Sequence, residues 1–168
     1  MLTDFGLSKK SDNLDELNRS FCGTPAYLPL EIINKKGHNR MADWYEYGVV
    51  LYELYTGFPP FYADTKAELY DLVRAGVIRF PKNTPELFRD LIKKLLNQNP
   101  DRRLGVEKDA ESIKEHPWFA NVDWEEVLDR KLQMPPIDFK LKIGDPIKTK
   151  FHDVKSEKFQ IPMWSFIS

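Results

Sequence analysis

Residues 43–55, Asp-Trp-Tyr-Glu-Tyr-Gly-Val-Val-Leu-Tyr-Glu-Leu-Tyr, form the longest stretch with a helical apolar period. Trp44, Tyr47, Val50, Leu51, Leu54 and Tyr55 recur at helical spacing, and Tyr45, Val49 and Tyr52 fill the other side. A helix apolar all round is expected to be buried all round. Asp43 stands where an N-cap belongs, and Gly57 with Pro59-Pro60 ends the run. Further on, Thr65-x-x-Glu68 has capping-box form ahead of the stripe Leu69, Leu72 and Val73, with Gly76 as its stop. Thr84-Pro85 opens another helix with Pro at its first position. Its pairs Leu87-Phe88, Leu91-Ile92 and Leu95-Leu96 repeat every four residues, which predicts one buried face. Residues 109–115 predict a shorter helix and residues 124–132 one more. Residues 1–3 read as the end of a strand, and residues 8–20 as an exposed polar loop. The pattern is that of a mainly α domain, followed by an extended tail marked by Pro135-Pro136 and Gly144-Asp145-Pro146.

Composition narrows this only a little. With 168 residues, 42% hydrophobic and 30% charged, the chain is long enough for a real core. A formal net charge of −1 gives no electrostatic case for nucleic acid or an anionic membrane surface. Cys22 is the only cysteine, so no internal disulfide is available, which suits a reducing compartment. The longest apolar run is far too short to span a bilayer, and no secretory signal is visible at the N-terminus. The expected location is the cytosol or nucleus. His38, His116 and His152 lack ligand-like spacing, and none is read as catalytic.

Candidate chemistry lies in short motifs whose order is more informative than any one of them. Asp4-Phe5-Gly6 is followed by Gly23-Thr24-Pro25-Ala26-Tyr27-Leu28-Pro29-Leu30-Glu31 and Asp43-Trp44-x-x-x-Gly48-Val49. Arg102-Arg103-Leu104-Gly105 and His116-Pro117-Trp118-Phe119 come after them. This series resembles the C-terminal lobe of a eukaryotic protein kinase, from the Asp-Phe-Gly motif to the end of the domain. Ser20-Phe21-Cys22-Gly23-Thr24-Pro25 and the tail resemble the AGC group, with the protein kinase B and ribosomal S6 kinase branches nearest. On this resemblance residues 1–119 are a kinase C-lobe without its N-lobe, and residues 120–168 an AGC-type C-terminal extension.

The resemblance implies roles for individual residues. Phosphoryl transfer rests on positioning and charge neutralisation. Asp4 would hold Mg²⁺ against ATP phosphates, and Phe5 with Gly6 would set the state of the activation segment. Ser20 falls at the activation-loop phosphosite, where added negative charge can order a loop. Thr24 favours Ser/Thr acceptors. Glu53 aligns with a carboxylate that receives a basic substrate residue, although Ala26 stands where the family usually has Glu. Asp43 is read as bracing the catalytic loop, and Glu31 with Arg103 as a structural ion pair, even though Pro29-Leu30-Glu31 replaces Ala-Pro-Glu. Trp164, Ser165 and Phe166 resemble the terminal hydrophobic motif, with Ser165 a second phosphosite. The partners implied are Ser/Thr-bearing protein substrates, some near basic residues, and an upstream activating kinase.

The 168 residues hold no Gly-rich loop, no ATP-anchoring lysine and no His-Arg-Asp loop. The chain alone is therefore expected neither to bind ATP and Mg²⁺ tightly nor to transfer phosphate. Two readings follow. The chain is part of a serine/threonine kinase, or it is a catalytically dead binding module that uses the same helical surface.

Overall fold

A computed structural model describes residues 4–10, 13 and 16–132. The expected strand at residues 1–3, the tail turns, and Trp164, Ser165 and Phe166 lie outside them. The described helices are α1 (Leu30–Ile33), α2 (Met41–Thr56), α3 (Lys66–Ala75), α4 (Glu86–Leu95), α5 (Ala110–Lys114) and α6 (Trp124–Leu128). Three 3-10 turns, Pro25–Tyr27, Pro100–Arg102 and Pro117–Phe119, each begin with proline. Proline suits that position because its fixed φ matches the turn and it has no N–H to leave unpaired. No strand occurs among the described residues, and an isolated antiparallel bridge joins Asn18 to His38. The architecture is that of a helical kinase-like C-lobe.

The described residues divide into two units, one ending at Asp123 and the other beginning at Trp124. The first is built on α2 and α4. Gly48 permits their close approach, since a Cβ there would lie 2.8 Å from the Leu95 Cβ. Tyr45, Val49 and Tyr52 of α2 join Phe88, Ile92 and Leu96 in the main core, with Leu28 and Ile32 from the segment ahead and Leu69 and Val73 from α3. A second cluster gathers Leu91, Leu95 and Ile113, against which Trp44, Tyr47 and Leu51 pack. α6, in the second unit, is shorter than the helix expected over residues 124–132.

Several expectations need correction. α2 is not buried all round: Val50 is 41% exposed, Leu54 79% and Tyr55 42%. Nor does Asp43 cap it. The helix begins at Met41, whose N–H donates to Asn39 Oδ1 at 3.0 Å, leaving Asp43 in the first turn. There its charge still opposes the positive end of the helix dipole. In α3, Thr65 Oγ1 accepts the Glu68 N–H, but Glu68 returns to the Thr65 hydroxyl rather than to a backbone N–H. Leu72 and Leu87 lie on the outer flanks of α3 and α4 and remain exposed. Pro85 stands at the N-cap position of α4, one residue before its first turn, and makes no side-chain capping bond.

Candidate functional site

Between Asp4 and Phe21 the described residues are mostly exposed and make short local turns, and Leu28 to Glu31 are mostly buried. Asp4 has φ 63°, and its Oδ1 accepts the Gly6 N–H at 3.2 Å. Phe5 is 68% exposed, and its carbonyl accepts from the Ser8 hydroxyl. Further on, the Asn18 and His38 backbones exchange two hydrogen bonds of 2.7 and 2.9 Å. The Asn18 Oδ1 accepts the Ser20 N–H at 3.0 Å, which leaves the exposed Ser20 side chain with Cys22 Sγ 3.9 Å away. The Lys35 ammonium sits 5.9 Å from the centre of the Phe21 ring.

Thr24 precedes the 3-10 turn Pro25–Tyr27, and its carbonyl accepts the Tyr27 N–H. Its hydroxyl makes no capping bond and the residue is exposed. From this turn the Tyr27 hydroxyl donates to the Glu53 carboxylate on α2. That bond, with burial and the carboxylate charge, pushes the Tyr27 hydroxyl up to about 12. The motif reading singled out Glu53 and missed Tyr27, because nothing in the spacing pairs residues so far apart.

Glu31 and Arg103 meet in the interior. Arg103 Nη1 and Nη2 bond Glu31 Oε1 and Oε2 at 2.7 and 3.1 Å, the parallel fork that guanidinium and carboxylate geometries share. The remaining donors go to the carbonyls of Met41 and Asn97, and the guanidinium lies over the Tyr45 ring. Arg103 is 0% exposed, so every donor must find a partner inside the protein.

Asp43 faces a cleft of about 280 Å³ whose lining includes Lys9, Glu16, Asn18, His38 and Arg40. Burial raises its carboxyl above the usual range; His38 partly offsets this, and Asp109 adds to it. Asp109 itself accepts from Trp44 Nε1 at 2.7 Å and from Arg40 at 3.3 Å. One turn along, burial and the neighbouring Asp43 push Glu46 up to about 7. Sequence reasoning missed Glu46, which belongs to none of the motifs. Among the histidines, His116 is buried: its Nδ1 accepts the Trp118 N–H, so its Nε2 carries the proton and donates to Asp90.

The donor set for a metal is thin. Asp4 is an exposed carboxylate already turned toward its own backbone, and no group of three or more His, Cys, Asp or Glu among the described residues is placed to hold an ion. Mg²⁺ takes six oxygen ligands in a strict octahedron. These residues do not make up a Mg²⁺ site by themselves.

Comparison with known proteins places these features in context. The protein kinase domain family matches residues 1–119. The chain is 47% identical to the human cAMP-dependent protein kinase catalytic subunit PRKX over 137 residues, covering 81% of this chain and 37% of that protein. It is 38% identical to the serine/threonine-protein kinase gad8 of Schizosaccharomyces pombe over 167 residues, 99% of this chain and 28% of the relative. Ribosomal protein S6 kinase 2 alpha of Gallus gallus is 36% identical over 155 residues, 92% of this chain and 20% of its own length. The chain thus spans well under half the length of these relatives. The chain belongs to the protein kinase domain family, and its relatives are serine/threonine kinases of the AGC group.

Proposed function

We propose that this chain serves as the helical-lobe portion of a serine/threonine protein kinase that transfers the ATP γ-phosphate to protein substrates. The observation that carries this reading is the anchoring of the turn at Pro25–Tyr27. Tyr27 ties it to Glu53 on α2, and a few residues later Glu31 ties the same segment to the buried Arg103. Held at both points, the segment presents Thr24 at the surface beside a carboxylate-bearing helix, an arrangement that suits an extended peptide with a hydroxyl acceptor and a nearby basic side chain. Ser20 and Ser165 are the proposed phosphosites, and Trp164 with Phe166 the terminal hydrophobic motif. Asp4 would supply one oxygen ligand when ATP and Mg²⁺ are bound by the longer kinase. The proposed setting is the cytosol or nucleus.

The 168 residues alone are proposed to be catalytically incompetent, because one carboxylate cannot position a triphosphate. The test uses the purified chain with labelled ATP, Mg²⁺ and a basic serine peptide. No label transfer is expected. The same assay on a fusion that places the Gly-rich loop, ATP-anchoring lysine and His-Arg-Asp loop of a relative ahead of Asp4 is expected to label serine or threonine, and Asp4→Ala to abolish that labelling. Transfer by the 168-residue chain overturns the claim of incompetence, and a silent fusion overturns the kinase reading. The exposed apolar side chains on α2 favour a second reading, in which the chain is a binding module.

A further inference from the structure

Asp109 stands in a backbone conformation that residues with a side chain avoid. Its φ of 54° and ψ of −130° put it at the first central position of a type II′ turn, closed by the Glu111 N–H donating to the Lys108 carbonyl at 3.2 Å. That position favours glycine, because a Cβ there crowds the neighbouring backbone. Asp109 is also the N-cap residue of α5, where an aspartate commonly accepts a free backbone N–H. Its side chain makes no such bond. The carboxylate is turned instead toward the start of α2, where it accepts from Trp44 Nε1 at 2.7 Å and from Arg40 Nη1 at 3.3 Å. A carboxylate suits the place, since it can accept from an indole N–H and a guanidinium at once. The loop and the helix start meet elsewhere too. Arg40 also donates to the Gly105 and Val106 carbonyls at 3.0 and 3.1 Å, and its buried Nε has no partner among the described residues. The Trp44 indole lies against Gly105, where an added Cβ would meet its Cδ1 at 2.8 Å. The arrangement carries two costs to stability, a strained backbone and an unpaired buried donor, and a glycine in place of Asp109 would remove the first.

We propose that Asp109 is a positioning residue for Asp43. Arg40 is the N-cap residue of α2 and Trp44 directly follows Asp43, so one carboxylate holds the two residues that bracket Asp43 along the first turn. What the strain secures is the direction in which that turn presents the Asp43 side chain. The inference rests on the reading of Asp43 as a brace for the catalytic loop of the longer kinase, and it adds a residue that belongs to none of the motifs.

The test compares Asp109→Gly, Asp109→Ala and Asp109→Asn in the full 168-residue chain. Glycine relieves the strain and loses the pin, alanine keeps the strain and loses the pin, and asparagine keeps an acceptor oxygen. In thermal unfolding Asp109→Gly is expected to melt no lower than the unaltered chain, and Asp109→Ala at least about 4 °C lower. In proton–nitrogen NMR spectra the Trp44 indole N–H and the Asp43 backbone N–H are expected to move in Asp109→Gly and to stay close to their places in Asp109→Asn. In the fusion that places the catalytic segments of a relative ahead of Asp4, Asp109→Gly is expected to lower kcat at least about fivefold with both KM values unchanged, and Asp109→Asn to keep most of it. An Asp109→Gly chain that melts well below the unaltered one gives Asp109 a purely stabilising role and overturns the inference. So does an Asp43 signal that Asp109→Gly leaves in place, or an Asp109→Gly fusion with full kcat. A parent fusion that transfers no phosphate overturns the kinase reading instead, and the NMR comparison then decides by itself whether Asp109 holds the turn.

Discussion

Glu46 holds its proton more tightly in the folded chain than out of it. Burial disfavours its charged form, the Asp43 charge does the same, and together they move it from 4.5 to about 7. Asp43 is raised as well, chiefly by burial. For a carboxyl raised in this way, the linked stability is fully present below the unfolded value and is lost as the pH rises through the folded one. The melting temperature is therefore expected to fall between about pH 5 and about pH 8, with Glu46→Gln removing most of the fall and raising the melting point at the alkaline end. Asp90 moves the other way, held down by Lys94 and then His116, but its contribution changes only under more acidic conditions. A melting point flat across that range in the unaltered chain would contradict this account. The sequence showed Glu46 as one charge in a helix and nothing more. Its shift comes from what surrounds it in three dimensions, whereas Asp4 and Arg103 could be picked out from motif order alone.

At the level of elements, the contact between α2 and α4 turns on a missing side chain. An alanine at Gly48 would push its Cβ to 2.8 Å from the Leu95 Cβ and 3.0 Å from the Leu96 Cδ2. Both leucines are buried in the core and have little room to yield. Gly48→Ala is expected to cost about 1–3 kcal/mol by denaturant titration, although alanine is the better helix former. Helices α2 to α5 were legible because their apolar periods are strong and glycine or proline punctuates several ends. What the period could not separate was the centre of a buried face from its flank. Leu54, Leu72 and Leu87 all sit at helical spacing from buried neighbours and all face outward. The start of α2 was misread for a local reason: the Asn39 side chain reaches the Met41 N–H before Asp43 can serve as a cap.

Across the whole first unit, Arg103 gathers stretches that are far apart along the chain. Its five hydrogen bonds run to Glu31, Met41 and Asn97, so α1, the start of α2 and the residues after α4 share one cation. Removing one partner of such a buried pair leaves the other charge stranded, at a cost of about 3–5 kcal/mol. That is a large share of the roughly 5–15 kcal/mol that holds an ordinary domain together. Arg103→Ala is expected to lower the unfolding free energy from denaturant titration by that amount, and a double change to Arg103→Met and Glu31→Leu to cost less than Arg103→Ala alone. A double variant as unstable as the single would show that the packing, and not the stranded carboxylate, sets the cost. Motif resemblance pointed to both ends of this pair. The Met41 and Asn97 carbonyls were out of reach, since any residue type presents the same backbone acceptor.

The clasp between Asn18 and His38 has a mechanical consequence. It closes a ring of roughly twenty residues that contains Ser20, Thr24 and Glu31, and ring closure removes freedom that an open loop of that length would keep. Within the ring, Glu31 is fixed by Arg103 and Tyr27 by Glu53. Ser20 is tied to the clasp directly, since its N–H donates to the Asn18 Oδ1. Ser20 lies two residues inside the ring from Asn18, and His38 at its other end lines the cleft that Asp43 faces.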